Sequence, residues 1–131
     1  MSGPDKSGLA LRRLFAVIDG PDAARCAELL APGLRFSVVF STGSADARDW
    51  AGDRRAFDDY LAQRGAPTWT HHVVAESAHR VDGRKVELAL GETRHDGATV
   101  ASFVAAVRLT PDGLIDRYIV GRSPAVLFEL A

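Results

Sequence analysis

The chain holds a single cysteine, Cys26, among 131 residues. One thiol excludes an intramolecular disulfide and implies a reducing compartment. No apolar run approaches the ~18–20 residues that a membrane span requires. The opening stretch, M-S-G-P-D-K-S-G, has no apolar core of a signal peptide. The expectation is a soluble, cytoplasmic protein. Neither sign of charge dominates, since 16 basic residues meet 17 acidic ones for a net charge of −1. That balance points to no nucleic-acid partner and no membrane surface, and to a small, weakly charged ligand instead. His71, His72, His79 and His95 lack the helical i, i+4 pairing or the cysteine partners of a zinc site. A phosphate-cradling glycine loop and a serine–histidine–aspartate spacing are missing as well. No metal and no cofactor are expected.

What is present is a periodic pattern that fits one domain over residues 9–121, preceded by a disordered start over 1–8 and followed by an apolar tail over 122–131. Leu11, Leu14, Phe15 and Ile18 recur at helical spacing up to Asp19-Gly20-Pro21. Asp22 is placed to cap a second helix with Ala23, Cys26, Ala27 and Leu30 on one stripe, ended by Pro32-Gly33. Leu34 to Thr42 alternates as a half-buried strand, with Leu34, Phe36, Val38 and Phe40 on one face. Ser41 to Gly52 reads as a polar loop holding Trp50. A third helix is predicted from about Asp53 to Gln63 on Phe57, Tyr60 and Leu61, terminated by Arg64-Gly65-Ala66-Pro67.

The rest reads as strands. Trp69–Val81, Lys85–His95, Thr99–Leu109 and Leu114–Gly121 are separated by Asp82-Gly83, Asp96-Gly97 and Pro111-Asp112-Gly113, which are hairpin signals. Three successive hairpins make an antiparallel meander, so the fold class is α+β with the helices on one face of a curved sheet. Both parities of Thr99–Leu109 are largely apolar: Phe103, Ala105, Val107 and Leu109 alternate with Val100, Val104 and Ala106. A strand apolar on both faces implies cover on both, and a homodimer through the outer sheet face would supply the second.

The segments L-F-A-V-I-D-G-P-D, L-L-A-P-G-L-R-F, G-D-R-R-A-F-D-D-Y-L, P-T-W-T-H-H-V and F-V-A-A-V-R-L-T-P-D-G-L-I-D-R-Y span nearly all of residues 9–121. In that order and spacing they resemble the NTF2-like superfamily, the α+β cone of ketosteroid isomerase, scytalone dehydratase and the SnoaL-like polyketide cyclases. The resemblance implies three N-terminal helices on a curved, mostly antiparallel sheet around an apolar pocket. It would be lined by Leu14, Phe15, Ile18, Phe36, Val38, Phe40, Trp50, Tyr60, Trp69, Leu88, Leu90, Glu92, Arg94, Phe103 and Ala105.

The same resemblance sorts activities. The acid–base groups of ketosteroid isomerase fall on Leu14, Val38 and Ala105, none of which can move a proton, so that activity is not expected. The cyclase aspartate falls near Val120. Of the scytalone dehydratase set, a histidine falls on His72 and an aspartate on Asp19, while its two tyrosines fall on Ile18 and Val38. His72, Asp19 and Tyr118 are therefore the catalytic candidates, with Glu92 or Arg94 polarising an oxygen. His71, on the opposite face of its strand, reads as a surface or interface residue. Pattern alone leaves open whether Tyr118 and Asp116 or Ile115, Arg117 and Ile119 look inward. Two functions follow: a cofactor-independent enzyme of isomerase, cyclase or dehydratase type acting on a small, apolar, oxygenated molecule, or a non-catalytic domain that binds such a molecule or dimerises.

Overall fold

A computed structural model describes residues 9–40, 50–64, 69–123 and 125–128. The expected disordered start at Met1–Gly8, most of the expected polar loop and the last residues of the tail lie outside the described residues, as does the side chain of Phe40. The elements are α1 (Ala10–Ile18), a 3-10 helix (Ala23–Glu28), β1 (Leu30–Phe40), β2 (Trp50–Asp53), α2 (Arg54–Arg64), β3 (Trp69–Val81), β4 (Arg84–His95), β5 (Ala98–Leu109) and β6 (Ile115–Ser123). One sheet runs in the order β2-β1-β6-β5-β4-β3. Among the described residues only the β1–β6 pairing is parallel, and the three hairpins of the meander form as the turns dictate. At Asp82-Gly83 and Asp96-Gly97 both central residues have φ between 52° and 81°, the left-handed pair that matches strand twist.

Two expectations change in the N-terminal half. The second helix is a six-residue 3-10 turn that buries only Cys26. Leu30 belongs to β1, which starts before Pro32-Gly33 and absorbs them in a register shift between Leu30 and Arg35. Trp50 sits in β2, a strand that pairs with Val38. The helices form where local chemistry supports them. Asp53 caps α2, its Oδ1 accepting the Ala56 N–H at 3.0 Å. Leu9, at the N-cap of α1, offers no side-chain acceptor. Glu87 of β4 replaces it, accepting the N–H groups of Ala10 at 3.1 Å and Leu11 at 2.9 Å. That carboxylate is 0% exposed, and Lys85 Nζ lies 3.4 Å from it.

Among the described residues, the helices cover one face of the sheet. α1 lays Leu11, Leu14, Phe15 and Ile18 on it, and α2 lays Phe57 and Tyr60. They meet Phe36 and Val38 of β1, Ala89 of β4, Phe103, Ala105 and Val107 of β5, and Tyr118 and Val120 of β6. Phe36, Phe57, Tyr60 and Tyr118 pack with ring centroids 5.0–6.2 Å apart. Each fully buried phenylalanine contributes about 2–3 kcal/mol of transfer free energy. On the other face Leu88, Val104 and Ile119 remain 41%, 61% and 53% exposed. The tail reaches that outer face, not the inner one, the N–H of Leu127 donating to Ser102 Oγ at 2.8 Å. Among the described residues, no helix is long and apolar enough to cross a membrane.

Candidate functional site

β3 settles which histidine looks inward. His71 is in register with Thr93, which is wholly buried on the inner face. Its ring stacks on Phe15 of α1 at 4.2 Å and 4°, and meets the edge of Phe103 at 5.2 Å. His72 is in register with Glu92 and turns the other way, its Nε2 lying 2.8 Å from Thr70 Oγ1. The inward orientation expected of His72 is therefore corrected: it belongs to His71. Beyond Val73 the register shifts at a bulge before Ala75, which reverses the parity. Glu76 then faces α1 and accepts Arg12 Nε at 2.7–2.8 Å. That hydrogen bond holds the Arg12 guanidinium protonated beyond its ordinary range, against a smaller opposing effect of burial.

Asp19 sits at the C-cap of α1, where the last turn carries it onto β3. Its carboxylate accepts the backbone N–H of His71 at 2.6 Å and lies 3.0–3.1 Å from His71 Nδ1. Both side chains are 10% exposed. A carboxylate facing Nδ1 keeps a hydrogen on that nitrogen, so the neutral ring carries its lone pair at Nε2. No hydrogen bond to Nε2 forms among the described residues. Beside the pair, between α1 and the edge strand, lies a depression of about 390 Å³ lined by Arg12, Phe15, Ala16, Asp19 and residues 70–73. An imidazole whose Nδ1 is held by a carboxylate can accept a proton at Nε2 and hand it on.

The other candidates are not gathered there. Tyr118 does look inward, 4% exposed, against the ring of Phe57. It pairs with Val107, whereas His71 lies in the row of Thr93 and Ala101. Six residues of β5 separate those rows, about 20 Å at ~3.3 Å per residue, so Tyr118 cannot act on the same small molecule. Leu88, Leu90, Glu92 and Arg94 share a face as expected, but it is the outer one. β4 turns Glu87, Ala89, Gly91 and Thr93 inward. The reason is space. A Cβ at Gly91 would overlap the His72 carbonyl and crowd the Phe103 ring. Arg94 donates to Glu92 Oε1 at 2.7 and 3.0 Å.

Leu14, Phe15, Ile18, Phe36, Val38, Phe103 and Ala105 are each 5% exposed or less, and Tyr60 is 7%. They belong to one buried apolar cluster beneath the helices. Trp50 and Trp69 are half-buried, Trp50 edge-on to Tyr60 at 5.9 Å and Trp69 beneath the Arg122 guanidinium at 4.4 Å. Among the described residues no group of three His, Cys, Asp or Glu is placed to hold a metal. His71 was missed because strand alternation separates two adjacent histidines without saying which one the helix will cover. Nothing in the sequence pairs it with Asp19, 52 residues away.

No family model and no curated protein match the chain. Solved structures do. The yeast UBP3-associated protein BRE5 superposes with a TM-score of 0.68 at 12% identity, over 90% of this chain and 96% of that one. A protein of the SnoaL-like family from Agrobacterium tumefaciens gives 0.57 at 15% identity, over 86% and 93%. Nuclear transport factor 2 (NTF2) from Cryptosporidium parvum gives 0.64 at 11% identity, over 86% and 87%. At such identities the likeness is one of fold, and it agrees with the element order and the helices packed on one face. The chain has the NTF2-like fold, shared with SnoaL-like proteins and with NTF2 itself.

Proposed function

We propose that the protein is a cofactor-independent, SnoaL-like proton-transfer enzyme acting on a small, largely apolar, oxygenated molecule. The observation that carries this reading is the Asp19–His71 pair, hydrogen-bonded, one-tenth exposed and bordering a cleft. Nε2 of His71 takes a proton from a carbon beside a carbonyl. The imidazolium so formed is stabilised by the Asp19 carboxylate, and the proton returns to another atom of the same molecule. Phe15, stacked on the ring, keeps it in one plane and dry on that side.

Exchange of α-protons for deuterium in a panel of small 1,3-diketones and hydroxyketones, followed by NMR in D2O, tests the reading without knowledge of the natural substrate. The wild type should accelerate exchange in at least one compound. His71→Gln should remove about a hundredfold of that acceleration, and Asp19→Asn a smaller part. Equal exchange by wild type and His71→Gln, with both folded by circular dichroism, ends the assignment.

A second reading, a non-catalytic ligand-binding or dimerising domain, is favoured by the apolar residues exposed on the outer face, Leu88, Val104 and Ile119. It makes the chain a homodimer through Leu88, Leu90 and Val104, which border one apolar groove with Ala75 and Ser77. Sedimentation velocity across micromolar concentrations tests it, and a monomeric mass throughout rejects it.

A further inference from the structure

The outer face has a second half that neither reading uses. Arg35 of β1, Arg117 of β6 and Arg108 of β5 are consecutive register partners, so three guanidinium groups stand side by side on adjacent strands. Like charges directly opposed on a sheet destabilise it, and among the described residues a single carboxylate, Asp116, answers them. Asp116 accepts Arg108 at 3.0 Å through both oxygens and Arg84 at 2.6 Å, while Arg117 Nη1 is 4.0 Å away. Arg35 forms no hydrogen bond or ion pair among the described residues. The next register row is Ser37, Ile119, Ala106 and Leu88, three of them apolar. Val86, opposite Arg108, continues the apolar floor. The two rows border a groove of about 440 Å³ closed on one side by Ala51 and Gly52 of β2. A volume of that order suits a small organic ligand.

We infer that this groove binds an amphipathic organic anion, its carboxylate on Arg35 and Arg117 and its apolar body along Ile119, Ala106 and Val86. Charge decides between this occupant and another copy of the same face. The described carboxylates near the groove are already engaged, Asp116 by arginines and Asp53 by the cap of α2. Among its described residues an identical face thus brings no unengaged acid to Arg35, and burying that charge unpaired is costly. An exogenous carboxylate supplies the missing charge, and bidentate geometry suits a guanidinium.

Isothermal titration of the full chain with decanoate, acetate and decanamide tests the inference. Decanoate should bind at least tenfold tighter than either acetate, which has the head alone, or the neutral amide, which has the body alone. Arg35→Gln and Ile119→Asn, both at exposed positions, should each weaken decanoate at least tenfold without moving the melting temperature. Ser37→Glu, which sets an internal carboxylate beside the arginine row, should compete with decanoate to the same extent and serves if either of the others misfolds. No binding by the wild type, equal affinity for the amide, or indifference to the substitutions overturns the proposal. So does loss of a dimer in Arg35→Gln when sedimentation accompanies a null titration, because the row then belongs to a second copy. Binding of an acidic, apolar peptide where decanoate fails assigns the row to a protein partner and overturns it equally.

Discussion

The two faces of the sheet differ in the opposite sense from their composition in β4. Facing the helices are Glu87, Ala89, Gly91 and Thr93, and facing away are Val86, Leu88, Leu90 and Glu92. The more apolar set is the less covered one. The inner face of β4 is crossed by the N-terminus of α1 and by the Phe103 ring, which leaves room only for small side chains and calls for one buried acceptor. Among the described residues, the tail meets the outer face near Ser102 and no helix packs on it. Burial follows from what packs against a strand, and hydropathy reports it only when packing space is not limiting.

That contrast can be broken at several places, and the interior should respond most. Phe103→Ala removes a ring that contacts Phe15 and His71 and should cost about 3–5 kcal/mol in urea unfolding. A loss below 1 kcal/mol would mean that the inner face is not the packed one. Glu87→Ala leaves two helix N–H groups buried without an acceptor and should cost roughly 2–4 kcal/mol. Glu87→Gln should recover part of that loss, since one amide oxygen can still accept.

The outer face should respond less, and in a pH-dependent way. The hydrogen bond from Arg108, then that from Arg84, holds the Asp116 carboxyl below its ordinary value of 3.8, against burial. A depressed folded-state value means that the cluster's stabilisation is complete above that ordinary value and fades as pH falls below it. Asp116→Asn should lower the melting temperature by roughly 3 °C at pH 7, and the gap should close toward pH 3. A gap that widens in acid would contradict the ion cluster. The smallest effect on stability belongs to Val104→Ser, at a position 61% exposed. Within about 0.5 kcal/mol, stability should not change, while any dimer formed through this face should weaken in sedimentation.

Much of the fold was legible. The Asp-Gly turns made the meander readable, because a left-handed residue pair admits few chemistries. Leu11, Leu14, Phe15 and Ile18 marked the buried stripe of α1 correctly. The break into β1 was not legible, since Pro32-Gly33 reads as a terminator and here sits inside a strand that bends. Asp19 was legible as a candidate, but its partner was not. The cap of α1 could not be seen either, because Glu87 lies 76 and 77 residues from the N–H groups that it accepts.

By itself, the sequence determined the four strands of the meander, the turns that join them and the separation of His71 from His72 onto opposite faces. Each of those follows from short-range sterics and the two-residue repeat of a strand. The tertiary structure alone decided which face is inside. A strand's alternation has no absolute direction until a helix lands on it, and here the placement of α1, held by Glu87 and Asp19, chose it.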